Sequence, residues 1–301
     1  MWWTFGMLAL VTIIIMSCSL PFILSSDRSG SVISGTGDAV AVIHLDGVIA
    51  GTGATGSGYV TPESFLDQLD KAADDDRVKA VVLRVDSPGG TVAASEEIAA
   101  YVRGFKKPIV VSIGDIGASG AYMVSSQADE IIANPGSSVG SIGVISEIPN
   151  VAALLGKIGV EFQVITAGKN KDTGSPYRSL TKEERALIQG EVNEAYEQFI
   201  GIVAEGRKMK PEKVRELATG WTWSGDKALE LGLIDKIGTY QDALASAAKR
   251  GGIKGSDYEV ITYKDELEQV LGSLLGIRGS LAQLADPTAS KEDAARQAVP
   301  R

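Results

Sequence analysis

Two apolar runs constrain the fold of this chain most: Lys79–Val85 (KAVVLRV) and Pro108–Ile113 (PIVVSI). A strand that is apolar almost without interruption is one buried on both faces, as parallel strands are inside a helix-covered sheet. Helical stretches are expected around them, at Pro62 to about Ala73, Thr91–Phe105 and Ala121–Ala128. The first opens on Thr61-Pro62, a capping threonine followed by proline at the first helical position. Ala39–Ile49, Glu130–Ala133 and Glu161–Thr166 are further strand candidates. Strand and helix thus alternate at βα spacing, which predicts an α/β fold with a parallel sheet. Downstream, Thr181-Lys-Glu-Glu184 is a capping box. The long helix behind it carries Ile188, Val192, Ala195, Phe199 and Ile202 at helical spacing. Shorter helices are expected at Pro211–Ala218 and from Ser224 to Gly232.

The chain ends read differently. Residues 5–24 (FGMLALVTIIIMSCSLPFIL) carry no charge and are long enough to span a bilayer core. A signal anchor is the first reading, since no basic n-region or small-residue cleavage site stands out. The string Ile15–Cys18 faintly resembles a lipoprotein cleavage site, and lipidation of Cys18 is the alternative. Only Arg28 lies nearby, so charge hardly orients the segment. The expected organisation is an anchor at 1–26, a Ser/Gly-rich flexible linker at 27–38 and a globular domain at 39–262. An amphipathic segment at 263–285 and a polar, disordered tail at 286–301 follow. The amphipathic segment either packs on the domain or docks on a membrane surface or a partner.

Composition excludes several classes of function. A net charge of −9 gives no basic face for nucleic acid. The glycine-rich loop Gly51–Gly58 lacks the GK[ST] ending of a phosphate loop. One cysteine and one histidine leave too few clustered ligands for zinc, and neither a metal nor another cofactor is expected. His44 falls in an alternating strand pattern, as a half-buried strand position, so a Ser-His-Asp triad has no evident base.

Ser119, in Gly117-Ala-Ser-Gly-Ala-Tyr122, follows a strand and a glycine-rich turn and precedes a helix. Two readings stand there. The serine caps the helix, or it is a nucleophile with helix N-terminal N–H groups beside it to hold an oxyanion. In the second case another group must act as base. A lysine serves when burial drives its pKa down from about 10.4 toward neutrality. The candidate is Lys171 in Gly168-Lys-Asn-Lys-Asp172, with Lys169 as its neighbour. Gly89, in Asp86-Ser-Pro-Gly-Gly90, and Gly120 are candidate oxyanion donors, because glycine lets backbone approach a ligand closely. A plain turn is the other reading of Ser-Pro-Gly-Gly.

The ordered set RVDSPGG, GASGAY, GSSVGSIGV and GKNKDTGSP, followed by WTWSGDKALELGLIDKIG, resembles the bacterial signal peptide peptidase A family. The resemblance covers about residues 39–250. It implies a serine/lysine endopeptidase with a Clp protease/crotonase-like repeated ββα core behind an N-terminal transmembrane helix. It makes Ser119 the nucleophile and Lys171 the general base. Ser141, the serine of GSIG, orients the lysine amine, and Gly89 and Gly120 form the oxyanion hole. The implied substrates are hydrophobic peptides, remnant signal peptides above all. The implied location is the cell membrane, single-pass, with the catalytic domain extracytoplasmic. Double-length relatives place serine and lysine in different copies of the unit. A single-copy chain is therefore expected to form a homo-oligomeric ring, with Ser119 of one subunit facing Lys171 of the next.

Overall fold

The computed structural model describes residues 37–52 and 58–263. The anchor segment with Cys18, the tip of the Gly51–Gly58 loop, and almost all of the amphipathic segment and tail lie outside them. Among the described residues, no helix is long and apolar enough to cross a membrane.

The domain is a mixed α/β structure built on one sheet. Its strands are β1 (Ala39–Ile49), β2 (Tyr59–Val60), β3 (Val78–Gly90), β4 (Ile109–Ala118), β5 (Glu130–Ala133), β6 (Ser138–Gly140), β7 (Thr222–Ser224), β8 (Lys236–Ile237) and β9 (Glu259–Thr262). The order is β2-β1-β3-β4-β5-β8. β9 joins the free edge of β1, and β6 continues from β4 to β7. Every pairing is parallel except β6–β7. The helices are α1 (Pro62–Asp74), α2 (Val92–Gly104), α3 (Gly120–Ser125), α4 (Ala152–Lys157), α5 (Lys182–Gly206), α6 (Pro211–Leu217), α7 (Gly225–Glu230) and α8 (Tyr240–Arg250).

Alternate strand residues feed two cores, which is why the strands read as continuous apolar runs. Ile43 and Leu45 of β1, Leu83 and Val85 of β3, and Val111 and Ile113 of β4 point into the larger core, shared with α1, α2, α3 and α5. Val40, Val42, Ala80, Val82 and Val110 point the other way, onto Ala243, Leu244 and Ala247 of α8. Each buried aliphatic side chain contributes about 1.5–3 kcal/mol. The α8 face loses its apolar lining one register step on. There His44, Arg84 and Ser112 stand in adjacent strands. Arg84 donates to Ser112 Oγ (2.9 Å) and lies over the Tyr240 ring at the start of α8. His44 is thus a strand residue with a half-exposed side chain, 3.0 Å from Asp46.

Capping chemistry behaves as the sequence signals. The Thr61 hydroxyl accepts from Ser64 N, and Thr181 and Glu184 make both bonds of a capping box.

Three expectations are corrected. Asp86–Gly90 is not a separate turn. It continues β3 past a register shift opposite Asp46–Val48, where Gly47 takes φ 85°. Gly114–Ala118 is likewise strand. β4 leaves β5 after Ile113 and pairs with β6 from Ile116, while Ile116 N donates to Asp86 Oδ1 at 3.2 Å. A glycine-rich stretch marks an irregularity within this strand rather than its end. Glu161–Thr166, expected as a strand, is irregular because it pairs with no strand among the described residues. Its Phe162, Val164 and Ile165 are exposed, Ile165 almost completely (97%).

Candidate active site

β4 and β6 deliver Ser119 to the sheet's end. Ser119 N donates to Gly140 O (2.7 Å), and Ser119 O accepts from Met123 N (2.9 Å) as α3 begins. The residue takes φ 52°, ψ −126°. That is close to the first central position of a type II′ turn, about +60° and −120°, a place for glycine. A non-glycine residue held there stores on the order of 1–3 kcal/mol of strain. A capping serine needs none of this, because an N-cap sits in the ordinary β region with its oxygen on a backbone N–H. Ser119 makes no such side-chain bond. Of the two sequence readings, the geometry favours the strained, presented hydroxyl.

The surroundings are glycine because nothing larger fits. A Cβ on Gly120 would lie 2.1 Å from Ser95 Oγ. One on Gly89, at φ 94°, would lie 2.5 Å from Gly120 N and 2.8 Å from Ser119 Cβ. Gly89, Ser119 and Gly120 are therefore packed together. The Gly89 N–H, however, donates to the buried Ser87 Oγ (3.1 Å), which itself donates to Gly47 O (2.6 Å). Gly90 is placed differently. Thr91 N donates to Ile49 O, and Ile49 is the register partner of Gly90. In a parallel ladder this turns the N–H of Gly90 away from β1. Gly90 N would sit 3.3 Å from a Cβ on Gly120, and Gly90 lines the same cleft as Ser119. Sequence reasoning chose the first glycine of the pair. The different placement of the two glycines is set by strand register, which the turn reading of Ser-Pro-Gly-Gly does not show.

Ser141 follows β6 at φ 50°. Its N–H donates to Trp221 O (2.9 Å) and its hydroxyl to Gly220 O (3.2 Å). With its proton committed to Gly220, the Ser141 oxygen is left as an acceptor. Ser119, Gly120, Gly90 and Ser141 border one cleft of about 560 Å³. Met123 of α3 and Val192, Tyr196 and Phe199 of α5 form its apolar wall. The cleft combines an apolar wall with a few convergent polar groups, as binding sites for small ligands and peptides do.

Lys171 is not among the residues lining this cleft. It lies on a run of turns after Gly168, and every residue from Gly156 to Lys171 is exposed. The structure brings Ser119, Ser141, Gly89 and Gly120 together and leaves Lys171 outside. His44 does not line the cleft either. Among the described residues, no group of three or more His, Cys, Asp or Glu is arranged to hold a metal ion.

Residues 103–254 match the model of peptidase family S49. An Enterococcus faecium protein named "Putative signal peptide peptidase SppA" is 39% identical over 243 residues, covering 79% of this chain and 70% of that protein. The "Putative protease" of Methanocaldococcus jannaschii is 42% identical over 201 residues, 66% of this chain and 64% of that one. "Protease 4" of Salmonella typhi is 37% identical over 247 residues. This chain covers 80% of its own length in that match and 39% of the Salmonella protein's.

Proposed function

Because the chain belongs to peptidase family S49, we propose that it is a membrane-anchored serine endopeptidase in which Ser119 and Lys171 form the catalytic dyad. The observation that carries this reading is the strained backbone at Ser119. Strain held at a residue whose hydroxyl faces a cleft, beside helix N-terminal amides, is strain serving chemistry.

The steps follow from the groups present. Ser119 Oγ attacks the scissile carbonyl carbon as its proton passes to the neutral Lys171 amine. The oxyanion is held by N–H groups of Gly120 and Gly90, the latter in place of Gly89. Collapse of the tetrahedral intermediate breaks the C–N bond, and the lysine ammonium returns its proton to the departing amine. A water molecule, deprotonated by the same lysine, then hydrolyses the acyl-serine and regenerates the hydroxyl. Ser141 accepts a hydrogen bond from the lysine and aims its lone pair.

A lysine acts as base only when neutral, and burial favours that form. Lys171 is exposed in the single chain, so its burial is assigned to a neighbouring subunit. Exposed apolar side chains at Ile145, Leu154, Ile158, Phe162, Val164 and Ile165 support an interface on this arm. The proposed assembly is a homo-oligomeric ring with active sites shared between subunits, in a Clp protease/crotonase-like fold. The apolar cleft wall and the signal peptide peptidase relative support hydrophobic peptides, remnant signal peptides among them, as substrates. The uncharged residues 5–24 are the proposed anchor, with the catalytic domain outside the cytoplasm.

The test is cleavage of a hydrophobic peptide by the wild type beside Ser119→Ala, Lys171→Ala and Lys169→Ala. Removing a general base costs about 10²–10⁴-fold, and removing the nucleophile at least as much. Lys169→Ala should stay near wild type. Normal turnover by Lys171→Ala would remove the dyad, and an equal loss in Lys169→Ala would move the base to that residue.

A further inference from the structure

An ionic cluster holds the Lys171 turn to the first turn of α5. The segment after it is also held by Val151 N donating to Pro176 O (2.8 Å) and Asn150 Nδ2 donating to Ser179 Oγ (3.0 Å). Arg178 grips Asp172, the residue after Lys171, with both ends of its fork: Nε to Oδ2 and NH2 to Oδ1, each 2.8 Å. The same guanidinium donates to Glu184, from NH1 to Oε2 at 2.8 Å and from NH2 to Oε1 at 2.5 Å. Thr173 Oγ1 also donates to Glu184 Oε1 (3.0 Å), and Thr181 N donates to Oε2 (2.8 Å). Glu184 is buried although the α5 residues flanking it are exposed. One planar cation therefore ties the lysine-bearing turn to the first turn of α5. That helix, further along, walls the cleft through Val192, Tyr196 and Phe199.

We propose that Arg178 is a positioning residue for the general base, holding the Lys171 turn on α5 and keeping the Asp172 carboxylate away from the lysine amine. This rests on the reading of Lys171 as the base. Two effects follow from the geometry. A base misplaced by about 1 Å costs up to about 10²-fold in rate. A carboxylate freed one residue from Lys171 would also favour the ammonium, the inactive form. Asp172 and Glu184 are the carboxylates engaged by Arg178. The other charged groups on the Lys171 turn and the first turn of α5 are Lys169, Lys182, Glu183 and Arg185, all exposed. Arg178→Lys is not conservative here, because an ammonium cannot reproduce a fork that serves two carboxylates.

The experiment measures the rate at which a fluorophosphonate labels Ser119, across pH, in the full-length protein. That rate reads activation of the hydroxyl without peptide binding. Arg178→Ala should label about 10- to 100-fold more slowly at neutral pH, and its rise with pH should move to higher pH. Arg178→Lys should recover little. Asp172→Asn, which leaves the Arg178–Glu184 pair intact, should label slowly with no upward move, since no carboxylate is freed. The double variant Arg178→Ala/Asp172→Asn should lose the upward move as well. Wild-type labelling and pH dependence in both Arg178→Ala and Asp172→Asn, with only a lower melting temperature, would reduce the cluster to a structural brace and overturn the proposal. Should Arg178→Ala fail to fold, Asp172→Asn decides alone, and a wild-type rate there overturns it. Wild-type labelling in Lys171→Ala is a separate failure, because it removes the premise that Lys171 is the base.

Discussion

Replacing Ser119 by glycine should make the protein inactive and more stable. The backbone there stands at φ 52°, ψ −126°, a conformation that costs a serine on the order of 1–3 kcal/mol and a glycine almost nothing. Glycine's greater freedom in the unfolded chain returns about 0.5–1 kcal/mol of that. The hydroxyl makes no capping bond, and on the Gly89 side the Ser119 Cβ faces only backbone, so little else is lost. The net gain is up to about 2.5 kcal/mol, centred on roughly 1, and each kcal/mol is roughly 2–4 °C in melting temperature for a domain of this size. Ser119→Ala keeps the strain and should melt close to wild type. Urea unfolding of the three proteins followed by circular dichroism is the assay. A capping serine predicts the reverse order: wild type highest, glycine a few tenths of a kcal/mol lower, alanine about 1 kcal/mol lower. That order would refute the claim that the site stores strain.

Other outcomes follow from single contacts. Gly120→Ala should abolish activity and lower stability, because its Cβ would meet Ser95 Oγ at 2.1 Å. Pairing it with Ser95→Gly should recover part of the stability in the same unfolding assay. Tyr122→Phe should cost about 1–2 kcal/mol, since the buried phenol donates to Leu233 O (2.8 Å) and would leave that carbonyl unpaired. The Arg178 guanidinium holds the Asp172 and Glu184 carboxyls below their ordinary pKa. A depressed folded-state pKa contributes stability that is full above the unfolded value, about 4 for these groups, and is lost as pH falls below it. Acid unfolding of Glu184→Gln should accordingly be shallower below about pH 4 than that of wild type, and superimposable curves would count against the cluster.

The layering of this fold was legible because its cause is periodic. Strands that send alternate residues into two cores read as unbroken apolar runs, as β3 and β4 do, while β1 reads as an alternating strand. The helix starts at Thr61, Thr181 and Ser224 were legible because a cap is a local device. Register was not. Asp86–Gly90 and Gly114–Ala118 carry turn residues, yet both are strand, since the pairing that holds them comes from β1 and β6, distant in sequence. The direction of the Gly90 N–H was hidden for the same reason, since it depends on which neighbour accepts from Thr91. Glu161–Thr166 failed for the opposite reason, having strand-like residues and no strand beside it. Ser119 stands out in the sequence by its motif, but its strain is a property of the β4–β6–α3 junction. Arg178 went unnoticed because an arginine among polar residues reads as solvated until its two carboxylates are seen.

The central claim, a serine activated by a lysine from the next subunit, is tested most directly by mixing two inactive proteins. Ser119→Ala and Lys171→Ala subunits are dissociated, combined and reassembled, and peptide cleavage by the mixture is measured against each parent. Shared sites predict that activity returns, because some boundaries then join an intact Ser119 to an intact Lys171. Mixed assemblies that form and remain as inactive as their parents would contradict the claim and place the dyad within one chain.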